Sequence, residues 1–136
     1  MALLQWKQQF ELGVAPMDLE HKGLVDAMND VHALDQRGAG KQAVGTALRH
    51  LMDLTVKHFA DEEAHMEKVA FPDRSRHARI HKDMLRRVGE HYEAFEKGDG
   101  SVSKEFYDFL VHWLAAHICH IDRKYADHPA PVGARP

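Results

Sequence analysis

Cysteine is almost missing from this chain. Cys119 is the only one among 136 residues, so no disulfide can form within the chain and a reducing compartment is expected. Long apolar runs are also missing, since none approaches the ~18 residues of a membrane span. The first ten residues, MALLQWKQQF, lack the basic and then apolar layout of a signal peptide, so we expect a cytoplasmic protein.

An excess of positive charge is absent too. The formal net charge is −3, which argues against a sequence-independent nucleic-acid binder, because such proteins are basic. Alternating strand patterns are also missing, and glycine and proline divide the chain into four helical segments. The predicted helices are Asp18 to Arg37, Lys41 to about Met66, Asp73 or Ser75 to the glycines of KGDG at 97–100, and Ser101 or Ser103 to about Tyr125.

Short connections between these segments should make consecutive helices antiparallel. The predicted fold is therefore all-α, an up-down-up-down four-helix bundle with an N-terminal arm of about residues 1–17. A chain of this length fits a single domain, which we predict to cover residues 1–126. The Pro-rich tail, 127–136, is expected to be disordered.

Histidine is the residue in excess, with 12 copies. In an antiparallel bundle the starts of the first and third helices and the ends of the second and fourth meet at one end. Metal-ligating residues fall at all four of these positions: His21 on the first helix, His58 and Glu62 on the second, His77 and His81 on the third, and His117 and Asp122 on the fourth.

Helical periodicity places most of these side chains on the inward stripes. At about 100° per residue, His58 and Glu62 align with Leu51 and Leu54. A single histidine on an apolar face is usually a satisfied core residue. Five histidines at one level of the bundle are better explained by metal ligation, because burying them without partners would be costly.

The number and kind of ligands indicate two metal ions. Five histidines and two carboxylates are too many for one tetrahedral zinc, and they suit a pair of ions that share carboxylate bridges. A ferritin-like site would need two Glu-x-x-His motifs, whereas this chain has one, Glu62 to His65. We place His65 at the rim of the site.

The segment HICHID, residues 117 to 122, poses a geometric problem. Cys119 lies about 160° from His117 on a regular helix and is interpreted as a non-ligand, and His120 lies at the edge of the inward stripe. Asp122 lies about 140° from His117, so a regular helix would keep it off that face.

Four motifs together resemble the hemerythrin family, in particular single-domain bacteriohemerythrins of the HHE cation-binding type. The motifs are MDLEH with His21, HFADEE with His58 and Glu62, HARIH with His77 and His81, and HICHID with His117 and Asp122. Further family-like features are Trp6, the FP at 71–72 and the segment WLAAHI. The resemblance covers roughly residues 6 to 125.

This resemblance implies a cofactor of two iron ions with an oxo or hydroxo bridge. His77, His81 and His117 would bind one iron, His21 and His58 the other, and Glu62 and Asp122 would bridge both. Because the resemblance makes Asp122 a ligand, we predict a local π-type turn between His117 and Asp122 that returns it to the face of His117. The open position on the second iron would take up dioxygen reversibly, as a hydroperoxide, for oxygen transport, storage or delivery to oxygen-consuming enzymes. We hypothesise that an apolar wall excludes water there, formed by Phe59, Trp113, Leu114 and Ile118.

Other functions of the same centre stay open. A di-iron oxidase or peroxidase, or an enzyme that handles nitric oxide, would use the same ligands. No nucleophile–base pair or substrate pocket is evident, so we expect a binding protein and not an enzyme. An oxygen or redox sensor usually carries an output domain, and iron homeostasis is a further alternative. A monomer is expected.

Overall fold

The computed structural model describes residues 3–126, except for the side chains of Gln9, Cys119 and His120. Five α-helices account for most of it, with no strand in residues 3–126, which confirms the predicted all-α class. They are α1 (Ala15–Gln36), α2 (Lys41–Lys68), α3 (Arg74–Lys97), α4 (Lys104–Ala116) and the short α5 (Arg123–Ala126). A π-helix, His117–Asp122, joins α4 to α5, and a 3-10 turn, Gln8–Phe10, precedes α1. The predicted tail, 127–136, lies outside the described residues.

The start of α1 differs from the sequence prediction. The helix begins at Ala15, three residues before the predicted cap, and Pro16 occupies its first turn. Proline is tolerated there because the first backbone N–H groups of a helix have no intrahelical partner. The carboxylate of Asp18 instead accepts the backbone N–H of Leu12 at 2.8 Å and that of Gly13 at 3.2 Å. Asp18 therefore holds the N-terminal arm against the helix.

The arm is also fixed further along α1. Asn29 makes two bonds to Leu4, accepting its N–H at 3.0 Å and donating to its carbonyl at 2.8 Å. Phe10 and Leu12 are buried in the hydrophobic core. The arm thus covers one side of the bundle with its own apolar residues.

The turns at the end of the bundle away from the histidines bring α2, α3 and α4 together. Ser103, one of the two serines predicted to start this helix, caps α4 by accepting the N–H of Phe106 at 3.1 Å. Gly100 adopts a φ of +96°, and a Cβ there would lie 2.6 Å from the Cβ of Lys41. Only glycine fits this close approach. The α3–α4 connection therefore packs directly against the first residue of α2.

Neighbouring helices run in opposite directions, and the start of α2 lies beside the end of α3, where Lys41 Nζ donates to the carbonyl of Gly98 at 3.2 Å. At the end just described, Tyr107 at the start of α4 donates a 2.7 Å hydrogen bond to Asp35 at the end of α1. At the opposite end, His21 near the start of α1 lies 3.0 Å from Asp122 beyond the end of α4. The four long helices therefore form the predicted antiparallel bundle, and the histidine-bearing segments share one end. Within residues 3–126, no helix is both long and apolar enough to cross a membrane.

Candidate metal centre

All seven predicted ligands lie together at one end of the bundle core. Each is at most 5% exposed. Their donor atoms form two groups in which all atoms lie within 4.8 Å of one another. The larger group consists of Glu62, His77, His81, His117 and Asp122; the smaller consists of His21, His58, Glu62 and Asp122. Glu62 and Asp122 belong to both groups, which is the arrangement required for two metal ions with shared carboxylates.

Asp122 divides its two oxygens between the groups. Oδ1 lies 2.6 Å from His117 Nε2 and 3.0 Å from His77 Nε2, whereas Oδ2 lies 3.0 Å from His21 Nε2. The π-helix that spans His117–Asp122 makes this possible, because its wider turn returns Asp122 to the face of His117. The predicted distortion is therefore confirmed.

Glu62 occupies the corresponding position on α2. Its Oε1 lies 3.1 Å from His81 Nε2 and 3.3 Å from His58 Nε2, so it too contacts one histidine of each group. Its Oε2 accepts a 2.6 Å hydrogen bond from the hydroxyl of Tyr125. Both shared carboxylates are completely buried.

The donors fit metal ions better than they fit one another. Within the described residues, both ring nitrogens of His21, Oε1 of Glu62 and both oxygens of Asp122 are buried without a hydrogen bond. Buried polar atoms rarely lack a partner. His117 Nε2 lies 3.1 Å from His77 Nε2 and 3.3 Å from His81 Nε2. Two nitrogens bound about 2.1 Å from one ion and at right angles would be about 3 Å apart. The arrangement of donor atoms therefore suits bound cations, because the side chains do not satisfy one another's hydrogen-bonding groups.

The carboxylates and imidazoles of the site shift one another's pKa values. Burial alone would lower the pKa of His21, but the nearby carboxylates of Asp122 and Glu62 outweigh it and raise the pKa to about 9. Burial alone would raise the pKa of Glu62, yet the imidazoles of His21, His58 and His81 beside it hold that pKa well below its usual range. The pKa of Asp122 is lowered despite burial and the Glu62 charge, because His117 and His21 stabilise its ionised form.

Three residues outside the predicted set contact the ligands directly. Glu20 lies 2.6 Å from His58 Nδ1, and Glu63 lies 3.2 Å from His81 Nδ1. Tyr125 holds Glu62, and burial with the nearby carboxylate charges raises the pKa of its phenol. Sequence reasoning missed Glu20 and Tyr125, although Glu20 directly precedes His21 and Tyr125 lies one turn beyond Asp122.

Aromatic rings pack against the larger group. Phe59 stacks on the ring of His81, with centroids 3.8 Å apart and planes at 5°, and Trp113 meets Phe59 edge-on at 5.6 Å. Leu114 and Ile118 are each 1% exposed. All four residues predicted to form the apolar wall are thus buried in the core.

The sequence offers three further possible metal ligands near the site, His65, Cys119 and His120. His65 is partly buried, and its ring lies 5.3 Å from that of Tyr125, at the rim of the site as predicted. Burial, followed by the charge of Lys68, lowers the pKa of His65. The predictions for the side chains of Cys119 and His120 fall outside the described residues.

The family model for the hemerythrin HHE cation-binding domain matches residues 12–128. This chain belongs to the hemerythrin family. Hemerythrin-family proteins bind a di-iron centre, and the two donor groups with shared carboxylates supply ligands for two ions.

Relatives and solved structures agree with this assignment. A bacteriohemerythrin from Stenotrophomonas maltophilia is 34% identical over 127 residues, 93% of this chain and 82% of that protein. Myohemerythrin-1 from Phascolopsis gouldii is 32% identical over 88% of this chain and 89% of its own length. The crystal structure of a hemerythrin alanine variant superposes with a TM-score of 0.86 at 27% identity, covering 96% of this chain and all of that one. A wild-type hemerythrin gives a TM-score of 0.80 at 28% identity, covering 93% and 98%.

Proposed function

We propose that this hemerythrin-family protein binds dioxygen reversibly at a pair of iron ions held by the two donor groups. The observation that carries the proposal is the uneven sharing of ligands. The larger group contains three histidines and both shared carboxylates, whereas the smaller group contains two histidines and the same carboxylates. An ion that prefers six ligands and is bound by His21 and His58 would therefore have a free coordination position for an exogenous molecule. Bound iron would supply the electrons with which dioxygen is held.

The protein side chains have separate roles in this proposal. One ion would be coordinated by His77, His81 and His117, and the other by His21 and His58. Glu62 and Asp122, both ionised in the metal-free site, would offset the charge of two cations. Phe59 and Leu114 would keep water from the site, and exclusion of water slows irreversible oxidation.

The space around the ligands leaves little room for an organic substrate. The cavity beside His77 of the larger group measures only about 40 Å³, and neither His21 nor His58 lines it. Pockets that take organic ligands usually measure about 300–1,000 Å³. Larger surface grooves reach His58 and His81, but each is also lined by the carboxylate, Glu20 or Glu63, that contacts the outer ring nitrogen. We therefore propose carriage of dioxygen and not catalysis.

We further propose that the protein works as a cytoplasmic monomer that supplies oxygen-consuming enzymes. Among the described residues only two large hydrophobic side chains are strongly exposed, Leu19 at 70% and Val56 at 54%. Scattered apolar side chains of this kind are ordinary on a monomer surface. Gel filtration of the iron-loaded protein tests the oligomeric state.

Reversibility separates a carrier from an oxidase. Iron would be loaded without oxygen and reduced, dioxygen added, the visible absorption spectrum recorded, and the dioxygen then removed under argon. A new band that disappears with the gas and returns on re-addition supports carriage. Immediate conversion to the oxidised form, with steady consumption of reductant, would favour an oxidase or peroxidase.

A further inference from the structure

We propose that Glu20 and Glu63 are positioning residues, one for each ion, that orient a ligand histidine and adjust the charge felt by the metal. This inference rests on the proposed di-iron function, since it assigns the outer contacts of that same site. It extends the site beyond its seven ligands to two carboxylates on neighbouring helices.

Glu20 serves the smaller group. Its Oε1 lies 2.6 Å from His58 Nδ1, while the opposite nitrogen, Nε2, lies 3.3 Å from Glu62 inside the site. The side chain of His58 is only 2% exposed and that of Glu20 is 23% exposed. A bond this short between a buried imidazole and a carboxylate fixes both the orientation and the tautomer of the ring.

Glu63 makes the corresponding contact for the larger group. Its Oε2 lies 3.2 Å from His81 Nδ1, and the Nε2 of the same ring lies 3.1 Å from Glu62. Phe59 stacks flat on the His81 ring, so the ring is held by its face as well as by its outer nitrogen. Glu63 is more exposed than Glu20, at 43%.

The two contacts follow the same pattern along the chain. Glu20 directly precedes the ligand His21 on α1 and reaches His58 on α2. Glu63 directly follows the ligand Glu62 on α2 and reaches His81 on α3. Each carboxylate therefore lies beside a ligand of its own helix and joins a ligand of the next helix. By contrast, Nδ1 of His21 has no partner within the described residues.

The chemical consequence follows from the two nitrogens of imidazole. When Nδ1–H donates to a carboxylate, Nε2 keeps its lone pair for the metal and becomes a stronger donor. The added negative charge also favours the more highly charged, oxidised metal. Glu20 and Glu63 should thus strengthen metal binding and lower the reduction potential of the ion that each serves.

The effects of the two carboxylates should differ in size. Glu20 is closer to its histidine and more buried, so its charge is less screened by water than that of Glu63. Lys57 lies 3.4 Å from Glu20, but it is 69% exposed and also lies 2.7 Å from Asp61. A solvated lysine of this kind contributes little, so it should not cancel the influence of Glu20.

The test uses the variants Glu20→Gln and Glu63→Gln, which keep side-chain shape and a hydrogen-bond acceptor but remove the charge. Glu67→Gln, at an exposed position on α2, is the matched control. Titration with Co²⁺ should show that Glu20→Gln weakens binding of one ion by about 10–100-fold, with a smaller loss for Glu63→Gln. Both variants should raise the reduction potential of the iron-loaded protein, whereas Glu67→Gln should leave it unchanged.

Mössbauer spectra of the reduced, ⁵⁷Fe-loaded variants add a readout for each ion. Glu20→Gln should change the signal of one iron and Glu63→Gln that of the other. If both variants match Glu67→Gln in affinity and potential, the proposal is wrong, and a change in Glu20→Gln alone would overturn the role of Glu63. If the unmodified protein itself fails to bind two irons, the proposed function fails first, so the two failures can be told apart.

Discussion

Tyr125 donates a 2.6 Å hydrogen bond to Oε2 of Glu62 inside the core. The phenol is 1% exposed and Glu62 is fully buried, so water cannot replace this donor. The bond ties α5 to α2 and restricts how the shared carboxylate can turn. The other carboxylate oxygen of Glu62, Oε1, therefore faces His58 and His81.

Replacing Tyr125 with phenylalanine should therefore weaken both the fold and the site. A hydrogen bond to a charged group typically contributes about 1.5–3 kcal/mol, and urea unfolding of the metal-free protein should show a loss of that order. Iron affinity should fall as well, because Glu62 loses the contact that orients it.

The matched control is Tyr107→Phe, which removes another phenol–carboxylate bond, to Asp35, at the opposite end of the bundle. Tyr107→Phe should lower stability but leave iron affinity unchanged. Equal iron affinities in the two variants would show that Tyr125 does not orient Glu62.

Leu114 should protect the oxygenated protein from oxidation. It is fully buried on α4, one turn before His117. Leu114→Ala opens space for water beside the site, so the oxygenated spectrum should convert faster to the oxidised one. Removal of a buried leucine side chain also costs about 2–5 kcal/mol of stability, which the control must match.

Leu110→Ala provides that match, since Leu110 is equally buried one turn further from the site. Its oxidation rate should stay near that of the unmodified protein despite a similar loss of stability. An unchanged rate in Leu114→Ala would count against the protective wall.

Substitution of a ligand shared by both groups should remove more iron than substitution of a ligand that belongs to one group. Asp122 contacts histidines of both groups, whereas His21 belongs to one. Asp122→Asn should lose both irons, and His21→Gln should retain about one iron per chain, because the larger group keeps its own three histidines. Metal analysis after gel filtration measures this, with the exposed Asp108→Asn as control. Equal iron contents in Asp122→Asn and His21→Gln would contradict the sharing of Asp122.

Metal binding should release protons at neutral pH. His21 in the metal-free site has a pKa of about 9, so it is protonated at pH 7 and must lose that proton to bind a cation. Proton and metal compete for the same lone pair, so affinity should rise with pH up to about 9, by about tenfold per pH unit for each proton released. Calorimetric titration with Co²⁺ in buffers of different ionisation enthalpy counts the protons. No proton release at pH 7 would contradict the protonated state of His21.

Periodicity and spacing predicted the helices and the π-helix because both depend on local geometry. The five-residue step from His117 to Asp122 cannot place both on one face of a regular helix, so the distortion followed once the family resemblance made Asp122 a ligand. The start of α1 could not be inferred from the sequence. Asp18 is a suitable helix cap, but an aspartate can equally accept hydrogen bonds from a preceding loop, as Asp18 does from the backbone N–H groups of Leu12 and Gly13.

Contacts between helices were harder to predict than the ligands. Glu20 lies about 100° from His21 on α1, off the inward stripe, and it reaches His58 only because glutamate is long and α2 packs close by. The sequence indicates only that the fourth helix ends near Tyr125, and nothing in the local sequence indicates that its hydroxyl reaches α2. Such contacts depend on the packing of whole helices and leave no periodic signal.

The most direct test of reversible oxygen binding is the amount of dioxygen taken up and returned by the reduced, iron-loaded protein. An oxygen electrode would follow uptake, and argon purging with gas analysis would follow release. We predict about one dioxygen bound for every two irons, with the same amount recovered as dioxygen. Uptake without recovery, or protein that holds fewer than about two irons per chain, would contradict reversible binding at a di-iron centre.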